Sequence, residues 1–392
     1  MSFNKVIAAI TVTCYKRLAP FLAEEIKELG YEVDEVFSTG VRMRGSMEDC
    51  IRLNLNLRCA SHVLYSIRQF TARNADEIYS NINRCNWEEL LPDPGYFSVT
   101  SNVLNDTIQN SMFANLKVKD AVVDRIRAKR GTRPSTGAEL SGAVVHLFWK
   151  GDEAEIFLDT SGISLARHGY RKIPGRAPML EALAAATILA SRWDRKSPFV
   201  NPMCGSGTLA IEAALIATNT RPGLFRDNYA LMHLQGYDED FYLNELGNLE
   251  RQIMDVPGLK IIATDHSNVA VESTKKNAQA AGVADLIELG ICDFTRTKVP
   301  ENGQGVVFFN PEYGERLGDI MELESTYKAI GDFMKKECGS YYGYIFTGNL
   351  DLAKKIGLKA KRRIEFYTST IDSRLFEFEL YQGTRDHRKT DL

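Results

Sequence analysis

Residues 201–214 read Asn201-Pro202-Met203-Cys204-Gly205-Ser206-Gly207-Thr208-Leu209-Ala210-Ile211-Glu212-Ala213-Ala214. An apolar run, Pro198-Phe199-Val200, leads into this segment, and a helical pattern follows its two glycines. Glycine permits positive φ angles and leaves no side chain between the backbone and a ligand. The free N–H groups at the start of a helix can face a polar or anionic group. We therefore expect a strand, a turn and a helix that together bind a nucleotide-like cofactor.

Strands and helices alternate on both sides of this segment, from about residue 164 to the end of the chain. An alanine-rich helix is predicted from Glu181 to Trp193. The other predicted elements are strands at 199–201, 260–264, 286–291, 305–310 and 341–346, and helices at 208–218, 267–281 and 322–336. This alternation predicts an α/β domain with a mostly parallel, doubly wound sheet. Residues 363–366 and 376–381 are expected to be two strands of an antiparallel edge.

The first 163 residues have a different pattern, with short strands and helices mixed as in α+β domains. Residues 1–60 form one such unit and residues 61–163 a second. The second contains a basic amphipathic helix at 115–129 and a hairpin of strands 144–149 and 153–159 around Lys150-Gly151-Asp152. We therefore divide the chain into three parts, 1–60, 61–163 and 164–392.

Composition is that of an ordinary globular protein, with 44% hydrophobic and 25% charged residues in a chain of 392. The seven cysteines are scattered and form no C-x-x-C pair, so we expect reduced thiols rather than disulfides or a zinc site. The chain shows no signal peptide and no apolar run long enough to span a membrane. These features predict a cytoplasmic protein without a metal.

Positive charge is concentrated in three tracts, although the net charge is −3. Residues 117–133 contain seven Lys or Arg against two Asp, and residues 354–363 contain six cations and no acid. The third tract is Arg167 to Arg176. A single tract of this kind is usually a solvated helix face, but three of them favour a surface that binds RNA or DNA.

The glycine segment matches the pattern G-x-G-x-x-A, which occurs with several nucleotide cofactors. In an NAD-binding unit the ribose-binding acid follows after about 20 residues, whereas the next strand that ends in an acid is Lys260 to Asp265. No G-K-[ST] follows the glycines, which argues against a P-loop. Asp265 suits two ribose hydroxyls as acceptor. Its alternative role is the N-cap of the helix that begins near Ser267.

The third strand ends at Asp293-Phe294. Asp293 can accept a hydrogen bond from an adenine amino group, and Phe294 offers apolar contact to the ring. The alternative is an ordinary turn aspartate. The specific feature is the order of these residues, because the glycine turn, Asp265 and Asp293 fall at successive strand ends.

The fourth strand ends at Asn310-Pro311-Glu312-Tyr313, which resembles the [D/N]-P-P-[Y/F/W] motif of S-adenosylmethionine (SAM)-dependent amino-methyltransferases. Gly314 and Arg316 extend the match to N-P-P-Y-G-x-R, a form found in RNA methyltransferases that carry a THUMP domain. Further matches to that family lie at 167–171, 177–185 and 201–214. The chain most resembles the enzymes that methylate guanine N2 in large-subunit ribosomal RNA, and less specifically so over residues 1–160.

The resemblance implies a ferredoxin-like unit at 1–60, a THUMP module at 61–163 and a Rossmann-like class I methyltransferase domain at 164–392. It implies SAM as cofactor, ribosomal RNA as partner and no metal. The implied cofactor-binding residues are Asn201, Pro202, Cys204, Gly205, Ser206, Gly207, Thr208, Glu181, Asp265, His266, Asp293, Phe294 and Asn310.

The implied catalytic residues are Asn310, Pro311 and Tyr313. The lone pair of a purine amino nitrogen is delocalised into the ring, so the nitrogen is a poor nucleophile. The Asn310 side-chain carbonyl and the Pro311 backbone carbonyl can each accept one amino hydrogen and direct the lone pair at the methyl group. Tyr313 would stack on the unstacked base. The alternative for this motif is a turn that only ends the strand.

Two positions depart from the family pattern. Asn201 stands where many relatives have aspartate, and Glu312 stands where a second proline is usual. The first change removes a charge near the cofactor's amino-acid end. The second loosens the loop and adds a carboxylate that could repel phosphate or reach a base edge.

The N-terminal module is expected to bind RNA through phosphate contacts, chiefly from the basic helix. The predicted RNA-binding residues are Lys117, Lys119, Arg125, Lys129, Arg130, Arg133, Arg171 and Arg316. Trp87, Trp149 and the pair Tyr96/Phe97 are expected in the core rather than as base-stacking platforms.

Other readings stay open at this point. The same motif serves adenine N6 in DNA or RNA and guanine in tRNA. Glu312 also fits a weakly active RNA-binding or ribosome-assembly protein. An NAD-dependent oxidoreductase is poorly supported because of the spacing to Asp265.

Overall fold

The computed structural model of the protein describes residues 5–105, 110–175, 178–301, 303–312, 317–368 and 371–381. Its helices are α1 (Ala19–Glu28), α2 (Met47–Asn56), α3 (Ala75–Asn83), α4 (Trp87–Leu90), α5 (Ser111–Arg130), α6 (Glu181–Ala190), α7 (Thr208–Ala217), α8 (Glu239–Arg251), α9 (Asn268–Ala280), α10 (Leu317–Glu337) and α11 (Leu350–Lys355). Its strands are β1 (Ala8–Thr13), β2 (Glu35–Phe37), β3 (Gly40–Gly45), β4 (His62–Thr71), β5 (Tyr96–Leu104), β6 (Ser135–Gly137), β7 (Ala143–Lys150), β8 (Glu153–Asp159), β9 (Phe199–Pro202), β10 (Ile261–Asp265), β11 (Ile287–Ile291), β12 (Val306–Phe309), β13 (Tyr342–Thr347), β14 (Arg362–Thr368) and β15 (Ile371–Glu379).

The chain folds into two compact units. The N-terminal unit comprises Met1–Arg167 and Arg221–Arg251, and the C-terminal unit comprises His168–Thr220 and Gln252–Leu392. Each unit is built on its own sheet.

The sheet of the N-terminal unit has the strand order β2-β3-β1-β4-β8-β7-β5-β6. Strand β4 pairs antiparallel with β1 on one side and with β8 on the other. One continuous sheet therefore runs through the two segments into which the sequence divides this part. The predicted hairpin is confirmed, because β7 and β8 pair antiparallel around Gly151, which has a φ of +57°.

The two tryptophans of this unit lie in its core, as predicted. Trp87 and Trp149 are 0% and 1% exposed, and their indole N–H groups donate to the carbonyls of Ile82 (2.8 Å) and Ala72 (3.0 Å). A buried indole needs such an acceptor for its N–H. Phe97 is also fully buried, whereas Tyr96 is half-buried.

The basic helix α5 starts four residues earlier than the sequence pattern predicts. The Asn110 side chain accepts a hydrogen bond from the Met112 N–H and caps the helix. The helix ends at Gly131, whose φ of +77° is the left-handed conformation that commonly terminates helices.

The sheet of the C-terminal unit has the strand order β11-β10-β9-β12-β13-β15-β14. Strands β9 to β13 are parallel, and β15 is antiparallel to both β13 and β14. The predicted α/β, doubly wound class is confirmed. The predicted position of the last strands is only partly right: β14 is the edge strand, and residues 371–374 belong to β15 instead of lying between two strands.

Large apolar side chains hold this sheet together. All four residues of β12 are buried, and Phe308 stacks between Phe199 and Tyr344 at centroid distances of 6.0 and 5.4 Å. The ring of Phe333 from α10 packs edge-on against the Phe309 ring, with the two centroids 6.1 Å apart. Helix α7 is buried at all of its positions, which fits a sequence that is apolar at every position except Thr208 and Glu212.

Residues 221–251 interrupt the C-terminal unit in sequence and fold as part of the N-terminal unit. A Cβ on Gly223 would lie 2.5 Å from the Leu55 carbonyl oxygen of α2. Arg52, also on α2, pairs with Glu245 of α8 at 3.2 Å and lies 4.9 Å from the Phe241 ring centroid. The long interval between the glycine segment and Asp265 therefore has a physical cause: most of it builds the other unit.

In the part of the chain that the structure describes, no helix combines the length and the apolar character needed to cross a membrane.

Candidate active site

The predicted site residues of the C-terminal unit lie at one edge of its sheet. Strands β9, β10, β11 and β12 are parallel neighbours, so their carboxyl ends meet at the same edge. Asn201 is in β9, Asp265 ends β10, and Asp293 and Asn310 follow β11 and β12. The chain order reverses between β9 and β12, which is where open α/β sheets bind ligands. The sequence order of these residues thus becomes a spatial cluster.

Gly205 and Gly207 have different roles in the loop between β9 and α7. Both have positive φ angles, +58° and +84°. A Cβ on Gly205 would meet no atom within 4 Å, so the backbone there is open to a ligand. A Cβ on Gly207 would lie 2.4 Å from the Thr274 Cγ2 of α9. Gly205 therefore leaves the loop backbone accessible to a ligand, and Gly207 permits the loop to pack closely against α9.

Asp265 ties the glycine loop to the start of α9. Its Oδ2 accepts from the Gly205 N–H at 3.0 Å, and its Oδ1 accepts from the Ser267 N–H at 2.9 Å. The N-cap of α9 is Ser267, whose hydroxyl accepts from the Ala270 N–H. The alternative role of Asp265 as the helix cap is therefore wrong. The neighbouring His266 side chain is 80% exposed.

Asp293 starts a short 3₁₀ turn, Phe294–Arg296, and accepts from the N–H (2.9 Å) and the hydroxyl (2.5 Å) of Thr295. These two hydrogen bonds lower the pKa of Asp293 below its usual value. The carboxyl group is exposed, so it is a charged acceptor at neutral pH. Phe294 packs edge-on against Phe309 and Phe333 at 6.1 and 6.3 Å.

Asn201 is 1% exposed and bridges two strands, because its Nδ2 donates to the Phe308 carbonyl of β12 at 2.9 Å. An aspartate at this position would turn a carboxylate towards that carbonyl oxygen. The contact gives a structural reason for asparagine here. The Asn201 Oδ1 is buried and has no hydrogen-bond partner among the described residues.

Cys204 is part of the loop's framework. It is 9% exposed, its N–H donates to the Thr264 carbonyl at 2.9 Å, and its Sγ lies 3.6 Å from the Thr274 Oγ1. Burial raises the pKa of the Cys204 thiol to about 12, so the sulfur is neutral at physiological pH and is not a nucleophile.

Arg171 lies against the loop rather than on the surface. Its guanidinium donates to the Met179 carbonyl (2.6 Å) and the Thr208 hydroxyl (2.9 Å) and lies 3.4 Å from the Glu181 carboxylate. Glu181 is 2% exposed, and burial raises its pKa, with Arg171 acting in the opposite direction. The predicted RNA contact Arg171 and the predicted cofactor contacts Glu181 and Thr208 therefore form one polar cluster.

The Asn310-Pro311-Glu312 segment follows β12. Asn310 is half-buried, and its side chain makes no hydrogen bond to any residue that the structure describes. Pro311 is buried and Glu312 is exposed. The Glu312 carbonyl accepts from the Tyr327 hydroxyl at 3.3 Å, and this hydroxyl also lies 2.8 Å from the Thr347 hydroxyl. Tyr313 and Arg316 lie outside the described residues.

In the N-terminal unit, several predicted RNA-binding cations of α5 have partners within the protein. Arg125 forms two hydrogen bonds with the Glu88 carboxylate, at 2.9 and 2.6 Å, and Lys117 pairs with Asp76 at 3.1 Å. Arg130 donates to the Leu91 carbonyl at 2.9 Å and to the Gln235 side chain at 3.0 Å. These contacts bind α5 to the rest of its unit.

The remaining cations of this set are less engaged. Lys119 lies 3.7 Å from its neighbour Asp120. Lys129 and Arg133 are exposed, and neither forms an ion pair with a described residue.

The tract at 354–363 is mostly paired. Lys354, Lys355 and Lys361 contact Asp351, Glu324 and Glu379 at 2.7, 3.0 and 2.7 Å. Arg362 and Arg192 both bind Glu377, a carboxylate with no exposed surface. Among the residues that the structure covers, no group of three or more His, Cys, Asp or Glu side chains is arranged to hold a metal ion.

Three family profiles match successive parts of the chain. Residues 9–64 match the RlmL ferredoxin-like domain, residues 72–159 match the THUMP domain, and residues 168–376 match the RMKL-like methyltransferase domain. The resemblance inferred from the sequence motifs is confirmed.

Curated relatives named ribosomal RNA large subunit methyltransferase K/L match most of the chain. The protein from Syntrophotalea carbinolica is 36% identical over 380 residues, which are 94% of this chain and 53% of that protein. The protein from Vibrio cholerae is 33% identical over 360 residues, 90% of this chain and 51% of that one. The chain spans about half the length of these relatives.

Solved structures match nearly the full length of the chain. The protein SMU.472, described as a putative methyltransferase and crystallised in complex with SAH, is 28% identical with a TM-score of 0.87, and the match covers 97% of this chain and 100% of that one. A Listeria monocytogenes protein described as a predicted N6-adenine-specific DNA methylase is 30% identical with the same TM-score, covering 96% and 97% of the two chains.

Proposed function

The chain belongs to the RMKL-like methyltransferase family, and on this basis we propose that it transfers a methyl group from SAM to the exocyclic N2 of guanine in large-subunit ribosomal RNA. The observation that carries the proposal is the common sheet edge at which Gly205, Asp265, Asp293 and Asn310 lie at the carboxyl ends of four parallel strands. The relatives named as large-subunit ribosomal RNA methyltransferases support the substrate class.

The residues of this edge fit SAM. The open backbone at Gly205 allows close approach of a ligand, and Asp265 keeps lone pairs for ribose hydroxyls beside its two backbone contacts. The buried Oδ1 of Asn201, which has no partner among the described residues, would accept from the ammonium group of the cofactor's amino-acid end. Asp293 would accept from the adenine amino group, and His266, Phe294 and the 202–208 loop would line the same cofactor. When bound, SAM supplies a methyl group on a positively charged sulfur.

Asn310 and Pro311 prepare the nucleophile. The Asn310 side chain has no described hydrogen-bond partner, so its carbonyl is available to a substrate amino group. With one amino hydrogen on the Asn310 Oδ1 and the other on the Pro311 carbonyl, the nitrogen lone pair is directed out of the base plane. Such positioning lowers a barrier by several kcal/mol, on the order of a hundredfold or more in rate. Tyr313 would hold the flipped base by stacking.

Glu312 favours guanine over adenine. The exposed carboxylate follows Asn310-Pro311 directly and can only accept hydrogen bonds when ionised. Guanine has an N1–H donor next to its N2 amino group, whereas adenine N1 is an acceptor next to the N6 amino group. A carboxylate that reaches this edge of the base would therefore pair with guanine and oppose adenine. Sites built on such hydrogen bonds discriminate strongly against a base that lacks the donor.

The N-terminal unit would bind the RNA. The THUMP and ferredoxin-like matches support this role, and the exposed Lys129 and Arg133 are its strongest candidates for phosphate contact. We propose 1–60, 61–163 and 164–392 as the three functional parts of the chain, although residues 164–167 and 221–251 fold with the N-terminal unit. If the substrate is ribosomal RNA, as the names of the relatives suggest, the protein acts in the cytoplasm.

A second candidate is methylation of adenine N6 in DNA. It keeps the fold and the chemistry of Asn310 and Pro311, and the description of the Listeria monocytogenes relative favours it.

The test is transfer of radiolabelled methyl from SAM to unmodified ribosomal RNA, tRNA and DNA, followed by identification of the labelled nucleoside. We expect N2-methylguanosine from ribosomal RNA. Label in N6-methyladenosine would replace the guanine assignment by the second candidate. SAM binding without label on any of these nucleic acids would favour an RNA-binding or ribosome-assembly protein and contradict the proposed transfer.

A further inference from the structure

Asn277 on α9 is fully buried, with 0% of its surface exposed. Its Oδ1 accepts from the Lys172 and Ile173 N–H groups, both at 2.9 Å. Its Nδ2 donates to the Ile173 carbonyl at 2.9 Å and to the Ser206 carbonyl at 3.1 Å. All four hydrogen-bonding positions of one side-chain amide are therefore used, and all four partners are backbone groups.

These partners belong to two separate segments. Ser206 is the middle residue of the glycine loop, and Lys172 and Ile173 belong to residues 171–175, which we call the strap. The strap lies directly on the loop, since a Cβ on Gly175 would be 3.4 Å from the Ser206 Cβ. Asn277 is thus the side chain through which α9 joins the strap to the loop.

One turn earlier on α9, Thr274 contacts the same loop. Its hydroxyl donates to the Gly205 carbonyl at 2.9 Å, and its methyl group packs under Gly207. Thr274 and Asn277 are three residues apart and therefore share one face of the helix. Asp265, which ends the strand before α9, accepts a hydrogen bond from the Gly205 N–H. Asn277, Thr274 and Asp265 therefore each hydrogen-bond to the loop, while no atom lies within 4 Å of a Cβ placed on Gly205.

We propose that Asn277 is a positioning residue for the cofactor, which locks the strap onto the glycine loop and keeps the loop in its binding conformation. This inference rests on the proposed use of SAM. A loop that is ordered before binding loses less conformational freedom when the ligand arrives, so its affinity is higher. Asn277 acts through Ser206 and does not itself touch the cofactor.

The test compares two variants at this position. Asn277→Asp keeps the size and the two acceptor contacts but places a carboxylate against two carbonyl oxygens. Asn277→Ala removes all four hydrogen bonds. We expect both variants to raise the dissociation constant for SAM, measured by titration calorimetry, at least tenfold. If Asn277 serves only to fill space, Asn277→Asp will bind SAM within twofold of the wild type, and the proposal is then wrong.

Asn54 provides a matched control in the other unit. It is 2% exposed and binds the Cys50 carbonyl and the Thr160 and Ser161 hydroxyls at 2.6 to 2.8 Å. Asn54→Ala should lower the unfolding temperature as Asn277→Ala does, yet leave SAM affinity within twofold. An equal loss of affinity in Asn54→Ala would mean that general destabilisation explains the effect, which would overturn the proposal.

Hydrogen exchange separates this inference from the proposed function. The amides of residues 204–207 should exchange at least tenfold faster in Asn277→Asp than in the wild type, with no ligand present. If the wild type fails to bind SAM, the proposed function is contradicted, and unchanged exchange in the variant would independently contradict the fixing of the loop by Asn277.

Discussion

The sequence predicts two binding surfaces, the carboxyl edge of the C-terminal sheet and the basic helix α5. In the structure, the binding groups of the first surface are available, whereas several of the second are paired within the protein. At the sheet edge, the predicted side chains of Asp265, Asp293 and Asn310 lie at the carboxyl ends of parallel strands of one sheet and keep acceptor groups available. Along α5, Arg125 is neutralised by a carboxylate of its own unit, and Lys117 is paired as well.

The difference lies in what determines each surface. The position of a residue at a strand end follows from the local pattern, and parallel strands then bring such residues to one edge. The availability of a surface cation depends on carboxylates distant in sequence, such as Glu88, which lies 37 residues before Arg125. Residues at strand ends are therefore predicted more securely than charges on a helix face.

The largest expected effect concerns Asn310. Asn310→Ala should lower the rate of methyl transfer by about a hundredfold or more, because the amino group loses one of its two acceptors. Single-turnover transfer to ribosomal RNA measures this rate. Asn349→Ala is the matched control: Asn349 also follows a parallel strand, but its side chain caps α11. That variant should lose about 1 kcal/mol of stability and little activity. A similar rate loss in both variants would remove the distinction between them.

Asp265→Ala should weaken SAM binding by about 2 kcal/mol, roughly thirtyfold in Kd, because a charged acceptor is lost. Calorimetric titration is the measurement. Asp285 is a suitable control, since it precedes β11 and lies at the opposite edge of the sheet. Asp285→Ala should bind SAM as the wild type does. If Asp265→Ala slows transfer at saturating SAM without weakening binding, its assignment to the cofactor is wrong.

On α5 and just after it, substitution of paired and of unpaired cations should have different effects on RNA binding. The double variant Lys129→Ala/Arg133→Ala should weaken RNA binding severalfold and reduce the slope of log affinity against log salt by about 1 to 2. Arg125→Ala should leave that slope unchanged. It should lower the free energy of unfolding by about 1 kcal/mol, because the ion pair between Arg125 and Glu88 is lost. Filter binding across salt concentrations distinguishes them. An equal change of slope in Arg125→Ala would mean that pairing does not withdraw a cation from RNA.

The smallest expected effect is on the titration of Asp293. Its hydrogen bonds to Thr295 lower the pKa, so this carboxylate stabilises the fold above the ordinary aspartate pKa and loses that contribution as the pH falls through its own lower value. Thr295→Val removes the hydroxyl but keeps the N–H, and the pKa should move upward towards about 3.9. Carbon-detected NMR titration of the Asp293 carboxyl would measure it. An unchanged midpoint would assign the shift to another cause.

The sequence predicted the doubly wound sheet and the strand-end residues because both depend on short-range patterns. It did not predict the contacts of Thr274 and Asn277, since these residues look like any polar positions on an amphipathic helix. Their role arises only when α9 packs under the glycine loop. The placement of Arg171 against Glu181 and Thr208 was missed for the same reason.

The late strands show a further limit. Residues 371–379 form one strand between β13 and β14, although the polar segment 371–374 looks like a connection. Local preference alone assigns residues 371–374 to a loop. Hydrogen bonding of β15 to both β13 and β14 makes them part of a strand. Similarly, no local signal in residues 221–251 indicates which unit buries them.

That segment has a consequence for how the protein can be divided. A fragment beginning at His168 would carry Tyr229, Leu231 and Leu249, each at most 3% exposed in the intact chain, without the sheet and helices that cover them. A fragment ending at Arg167 would lack α8 and expose the surface around Leu55. We therefore expect neither fragment to fold by itself, because each lacks residues that its partner segment packs against in the intact chain. A recombinant that replaces one unit without the matching stretch 221–251 should therefore be insoluble.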